Sequence, residues 1–129
     1  MVWCKSMDFD YKKAREFQEK KQIDKEMSNC ALLHKARSDF NRIIKLIIKK
    51  YNPTRVYQWG SLLDGDHFSE ISDIDIGLEG VTSAEDFFQL YKDAESLTDF
   101  SLDIVQLEKI EPEFRDIIQL KGRVVYECQ

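Results

Sequence analysis

Asp73 and Asp75 stand two residues apart inside an apolar run, Ile71-Ser72-Asp73-Ile74-Asp75-Ile76-Gly77-Leu78. Side chains alternate faces along a β-strand, so the two carboxylates emerge together while Ile74 and Ile76 point the other way. Carboxylates this close repel, and the strain is relieved by protonating one or by binding a divalent cation. Upstream, Gly60-Ser61 is separated from Asp73 by eleven residues, and downstream Ser101-Leu102-Asp103-Ile104-Val105 offers a third acid in an apolar strand. A glycine at a strand end lets the backbone approach a phosphate, and a serine opening a helical turn adds a hydroxyl. Together these residues suit a site where metal ions hold a nucleoside triphosphate.

That chemistry asks little covalent help of a protein. Nucleotidyl transfer needs the triphosphate in line with the attacking group and its developing charge neutralised. Two Mg²⁺ ions do this, one activating the acceptor and one on the leaving pyrophosphate. Mg²⁺ takes hard oxygen ligands, which Asp73, Asp75 and Asp103 would supply if the strand of Asp103 lies beside that of Asp75. A competing reading has Asp73 and Asp75 capping loops or forming ion pairs, and Asp103 has Asp99 close by. His67, near the site in sequence, is expected to be a loop histidine, because a two-metal mechanism needs no histidine base.

The elements that would position these residues follow from periodicity. No Gly or Pro precedes Pro53. From Leu33, apolar residues recur as Ala36, Phe40, Ile43, Ile44, Ile47, Ile48 and Tyr51, a helix with one buried face that Asn52-Pro53 stops. The earlier stretch, Asp8 to Ser28, alternates charges around a thin seam of Phe9, Tyr11, Ala14, Phe17, Ile23 and Met27. It is expected to be an exposed helix, either packing on a second copy or a partner or simply facing solvent. After Pro53 come strands at Arg55–Trp59, Ser72–Glu79 and Leu102–Leu107, helices at Ser83–Leu97 and Pro112–Leu120, and a final strand at Arg123–Tyr126. The expected fold class is α/β (α+β), a small mixed sheet with helices packed on it. Residues 1–52 form an amino-terminal helical segment and 53–129 the core, one structural domain overall.

Composition bounds the alternatives. A chain of 129 residues, 43% apolar, supports one modest core. No apolar run approaches the roughly 18 residues of a membrane span. Three cysteines in no metal-binding spacing, and no secretory leader, argue for reduced thiols and a cytoplasmic protein. Net charge is −5, unevenly spread: residues 31–58 carry seven basic groups against Asp39, and residues 60–116 carry sixteen acids against three. An acidic site of this kind gathers cations and discourages nucleic acid, and a primer-template would need a basic channel and a further domain.

The constellation of Gly60, Ser61, Asp73, Asp75 and Asp103 resembles the minimal nucleotidyltransferases of the DNA polymerase β-like superfamily. Their signature is Gly-Ser, about ten residues, Asp-x-Asp, and a third acid on a following strand. The resemblance covers about Arg55 to Glu127, with Trp-Gly-Ser where the family often has Phe-Gly-Ser and Ser72-Asp73-Ile74-Asp75 matching its Ser-Asp-Ile-Asp. It implies a polymerase β-like core with Asp73, Asp75 and Asp103 as catalytic metal ligands. Gly60, Ser61 and Ser72 would bind nucleotide, two Mg²⁺ ions would be present, and ATP would be the substrate. It also implies pairing with a HEPN-domain ribonuclease toxin, whose tyrosine receives AMP. One departure is that Leu62-Leu63-Asp64-Gly65-Asp66-His67 follows Gly-Ser where relatives often carry Arg. This leaves open an antitoxin that acts by contact alone. Transfer to a small molecule is a further alternative, disfavoured because beyond the core the chain has only a helical segment to meet an acceptor. A homodimer through that helix is a further expectation.

Overall fold

The computed structural model describes residues 2–64 and 72–128; side chains of residues 2–14, 17, 22–28 and 64 lie outside the description. His67 and the Gly65–Ile71 stretch are therefore outside the described residues, as are the side chains of the apolar seam from Phe9 to Met27.

Helix α1 runs Val2–Tyr51, so the two helical stretches expected from periodicity form one element. Two compact units emerge, Met1–Ala31 and Leu32–Gln129. The first consists of helix, with an exposed Arg15–Glu19 pair one turn apart at 3.5 Å. The second contains the sheet and the later part of α1. Ala36, Phe40, Ile43, Ile44 and Ile47 are buried there, three or four residues apart, so one stripe of the helix enters the core. Residue 52/53 marks the change from helix to strand. Asn52 adopts a left-handed φ of 49°, a conformation asparagine tolerates at a helix end, and Pro53 follows.

The strands are β1 (Arg55–Trp59), β2 (Ile74–Glu79), β3 (Leu102–Gln106) and β4 (Arg123–Glu127), in the spatial order β3-β2-β1-β4. β1 is antiparallel to β2 and to β4, while β2 and β3 are parallel. The sheet is mixed, as expected. The parallel pair is joined by a crossover through helix α3 (Ala84–Glu95), the connection that parallel strands require. Ser83 caps α3, its hydroxyl accepting from the Asp86 N–H at 3.3 Å, and Glu85 and Asp86 in the first turn favour the helix dipole. Helix α4 (Pro112–Lys121) has Pro at its start and ends at Gly122.

The two faces of the sheet differ. One carries Val56, Ile74, Ile76, Leu78 and Ile104, all buried against α1 and α3. The other carries Tyr57 and Gly77, packed with Leu107 and Ile118 of α4. Buried Asp39 of α1 accepts from Arg42 of the same helix at 2.6 Å and ties the helix to the segment after α3 by accepting from the Thr98 hydroxyl at 2.8 Å. At its other end Lys50 and Tyr51 both donate to Asp93 of α3, at 2.8 and 2.7 Å.

β2 starts at Ile74, two residues later than its sequence suggests. The Ile74 N–H bonds to the Ser101 carbonyl at 2.9 Å, opening the pairing with β3, and β1 supplies no partner beyond Trp59 because Gly60 turns away at φ 79°. Asp73 consequently sits just ahead of the strand.

Candidate active site

Strand order brings the acids together. Asp75 is the second residue of β2 and lies in register with Asp103, the second residue of parallel β3; on its other side it lies in register with Trp59, the last residue of β1. Register partners share a face, so Trp59, Asp75 and Asp103 form a row across three strands. Gly60 follows Trp59 directly, and the strand end meets the strand start.

The contact between the two sequence motifs is close. A Cβ built on Gly60 would stand 2.0 Å from Oδ2 of Asp75. Any side chain there would displace the carboxylate, and φ 79° disfavours one independently. Gly60 thus serves Asp75 as well as any phosphate. Ser61 then opens the short helix α2 (Ser61–Asp64), and Leu62, fully buried, anchors it in the core.

Asp75 is half-buried, whereas Asp73 and Asp103 are exposed. Burial first, then the charges of Asp103 and Asp73, push the Asp75 carboxyl from 3.8 up to about 7. Asp103 and Asp73 therefore both bear on Asp75. Among the described residues, however, no group of three His, Cys, Asp or Glu side chains converges closely enough to hold one ion as it stands. The donor set still fits a hard divalent cation: it is all carboxylate oxygen, and a positive charge beside Asp75 would relieve the repulsion that raises its pKa. Ser72, half-buried, sits directly before Asp73.

Three neighbours were not singled out as site residues from the sequence. Trp59 lies in the row with Asp75, stacks edge-on against Phe114 of α4 at 5.5 Å between ring centres, and buries an Nε1 that has no hydrogen-bond partner. Alternation along β1 gives only the face it shares with Tyr57, and the pairing with β2 sets Asp75 beside it. Tyr91 of α3 donates its hydroxyl to the Leu102 carbonyl at 2.5 Å and so braces the start of β3. Burial foremost raises its pKa, and the charges of Asp103 and Asp73 contribute. Gly77 completes the set: a Cβ there would stand 3.4 Å from Ile118, so α4 sits close on the sheet beside the acids.

The sequence model for the family "Polymerase beta, Nucleotidyltransferase" matches residues 41–129, and the chain belongs to that family. Solved structures share the fold. A toxin–antitoxin complex with AMP-PNP is similar at 24% identity and a TM-score of 0.59, over 69% of this chain and 73% of that one. The MntA–HepT toxin–antitoxin is similar at 21% identity and 0.55, over 72% and 74%. A proposed minimal nucleotidyltransferase is similar at 22% identity and 0.57, over 70% and 93%. Among curated proteins none matches. Nucleotidyltransferases of this fold work on a nucleotide with divalent metal.

Proposed function

We propose that this chain is a Mg²⁺-dependent nucleotidyltransferase that moves AMP from ATP to a partner protein, the HEPN-type toxin of a toxin–antitoxin pair. The observation that carries the reading is the row formed by Asp75 and Asp103 in register, with Gly60 seated against the Asp75 carboxylate. Asp73, Asp75 and Asp103 would hold the divalent ions, which when bound neutralise phosphate charge and activate the acceptor hydroxyl. Asp75 must give up its proton to serve as a ligand, and its raised pKa makes metal affinity fall below neutral pH. Gly60 brings backbone close to the phosphates and Ser61 offers its hydroxyl. Trp59, edge-on against Phe114, ends the row on the β1 side.

The partner assignment draws support from similar structures that are toxin–antitoxin complexes, one holding AMP-PNP. The test is transfer of label from α-labelled ATP to the co-purified partner. Transfer is expected with Mg²⁺, to vanish with a chelator, and to vanish in Asp73→Asn. No label on the true partner in the presence of Mg²⁺ would end the proposal. A second reading, neutralisation by contact alone, is favoured by Leu62-Leu63-Asp64 following Gly60-Ser61 where relatives often carry Arg. It predicts that Asp73→Asn still protects cells from the toxin.

A further inference from the structure

On the α1 side of the sheet, opposite the carboxylate row, two adjoining cavities of about 330 and 470 Å³ open between α1, α2 and edge strand β4. Both are lined by Phe40, Asn41 and Arg123; the first adds Arg37, Gln58 and Leu62, and the second Lys45. Among the described residues no acidic one lines either cavity, although the chain carries a net charge of −5. Cavities elsewhere in the same unit include Glu79, Glu108 and Asp116, or Glu95 and Asp99.

The cations are placed for a ligand rather than for internal pairing. Gln58 is buried, 4% exposed, and its side-chain carbonyl accepts from Arg123 Nη2 at 3.0 Å, which fixes the guanidinium at the cavity wall. Among the described residues Arg37, Lys45 and Arg123 form no ion pair with a carboxylate, whereas Lys35, Arg42, Lys50 and Arg55 all do. A guanidinium held by a neutral amide keeps its full charge for an incoming anion and loses little freedom on binding. Phe40 and Leu62 give the floor an apolar character, and the first cavity lies at the small end of ligand pockets, roughly 300–1,000 Å³.

We propose that this cavity is an anion site that binds a phosphoryl group through Arg37 and Arg123, with Asn41 as a neutral hydrogen-bonding group. Gln58 lies in register with Ile76, so its side chain and the cavity face away from Asp75. The phosphoryl group has two sources: a separate phosphate-bearing small molecule, or the tail of a nucleotide that passes around Gly60-Ser61 from the carboxylate face. The site does not depend on the carboxylates or on metal.

The experiment uses the full chain with inorganic tripolyphosphate as probe, titrated calorimetrically in the absence of divalent ions. Binding is expected in the wild type and in Asp75→Asn, and a loss of roughly tenfold or more is expected in Arg37→Glu. Arg37 is exposed on a helix, so that variant keeps its core; Arg123→Gln, checked for an unchanged melting temperature, provides the second arm. Lys109→Glu carries the same charge change outside the cavity and is expected to bind as the wild type does. Competition by ATP assigns the site to the nucleotide's own tail, and simultaneous binding assigns it to a separate ligand; both support the cavity. No binding, or equal weakening by Lys109→Glu and Arg37→Glu, overturns it. Since metal and Asp75 are dispensable here, a failure leaves the transferase reading standing, and the converse holds too.

Discussion

The two faces of strand β2 divide stability from chemistry. Ile74, Ile76 and Leu78 on one face have no solvent exposure and sit in the large core with α1 and α3. On the other, Asp75 and Gly77 alternate with them, and Gly77 is covered by Ile118 of α4 and by Leu107, which follows β3. The strand is held rigidly by its apolar face, so that the opposite face can carry a half-buried acid whose environment disfavours its charge. Burial that would stabilise a leucine there acts against a carboxylate. One residue of register slip would exchange the two sets, which is why the core fixes the site.

The largest effect that would break this division is catalytic. Asp75→Asn is expected to lower nucleotidyl transfer by roughly a thousandfold while the protein stays folded, checked by label transfer beside a circular dichroism melt. A matching loss of stability would mean the two faces are not independent. Ile76→Ala tests the converse: a cost of about 3 kcal/mol in urea unfolding, with transfer per folded molecule preserved. Gly60→Ala probes the boundary between the faces. It is expected to cost about 1–2 kcal/mol for the left-handed backbone and to depress transfer as well, because the added methyl meets Asp75.

Smaller effects lie in pH dependence. In the metal-free protein the folded state keeps the Asp75 proton, at about 7, after the unfolded chain has released it near 3.8. Stability from this group therefore falls as pH rises through that window and levels off above it. Asp75→Asn should raise the melting temperature more at pH 8 than at pH 4, and an equal change at both would refute the assignment. Asp93 behaves oppositely. Hydrogen bonds from Lys50 and then Tyr51 lower it to about 2, so its contribution is present above 3.8 and is lost as pH falls toward 2. Asp93→Asn should accordingly matter at pH 7 and not at pH 2.

Much of this was legible in the chain. Arg55–Trp59 has the bounds expected of it, Ser83 caps the helix it precedes, and Pro112 and Gly122 bracket the last one. These are local signals, set within a few residues by caps, breakers and alternation. What was not legible is long-range. The parallel register of Asp75 with Asp103 depends on which strands become neighbours, which no window of sequence records. The bond from Arg123 to Gln58 spans 65 positions and needed the edge placement of β4. Trp59 was read as the residue before Gly60, and only pairing with β2 put it in the row with the acids.

The seating of Gly60 against the Asp75 carboxylate has a consequence for descent. While Asp75 is present, position 60 has no room for a side chain; once Asp75 is replaced by a smaller residue, part of that prohibition lifts. Lineages that abandon the chemistry and keep the fold should therefore accumulate changes at both positions, with the acid lost first. Such paired drift would make dead copies recognisable in genomes by reading two codons.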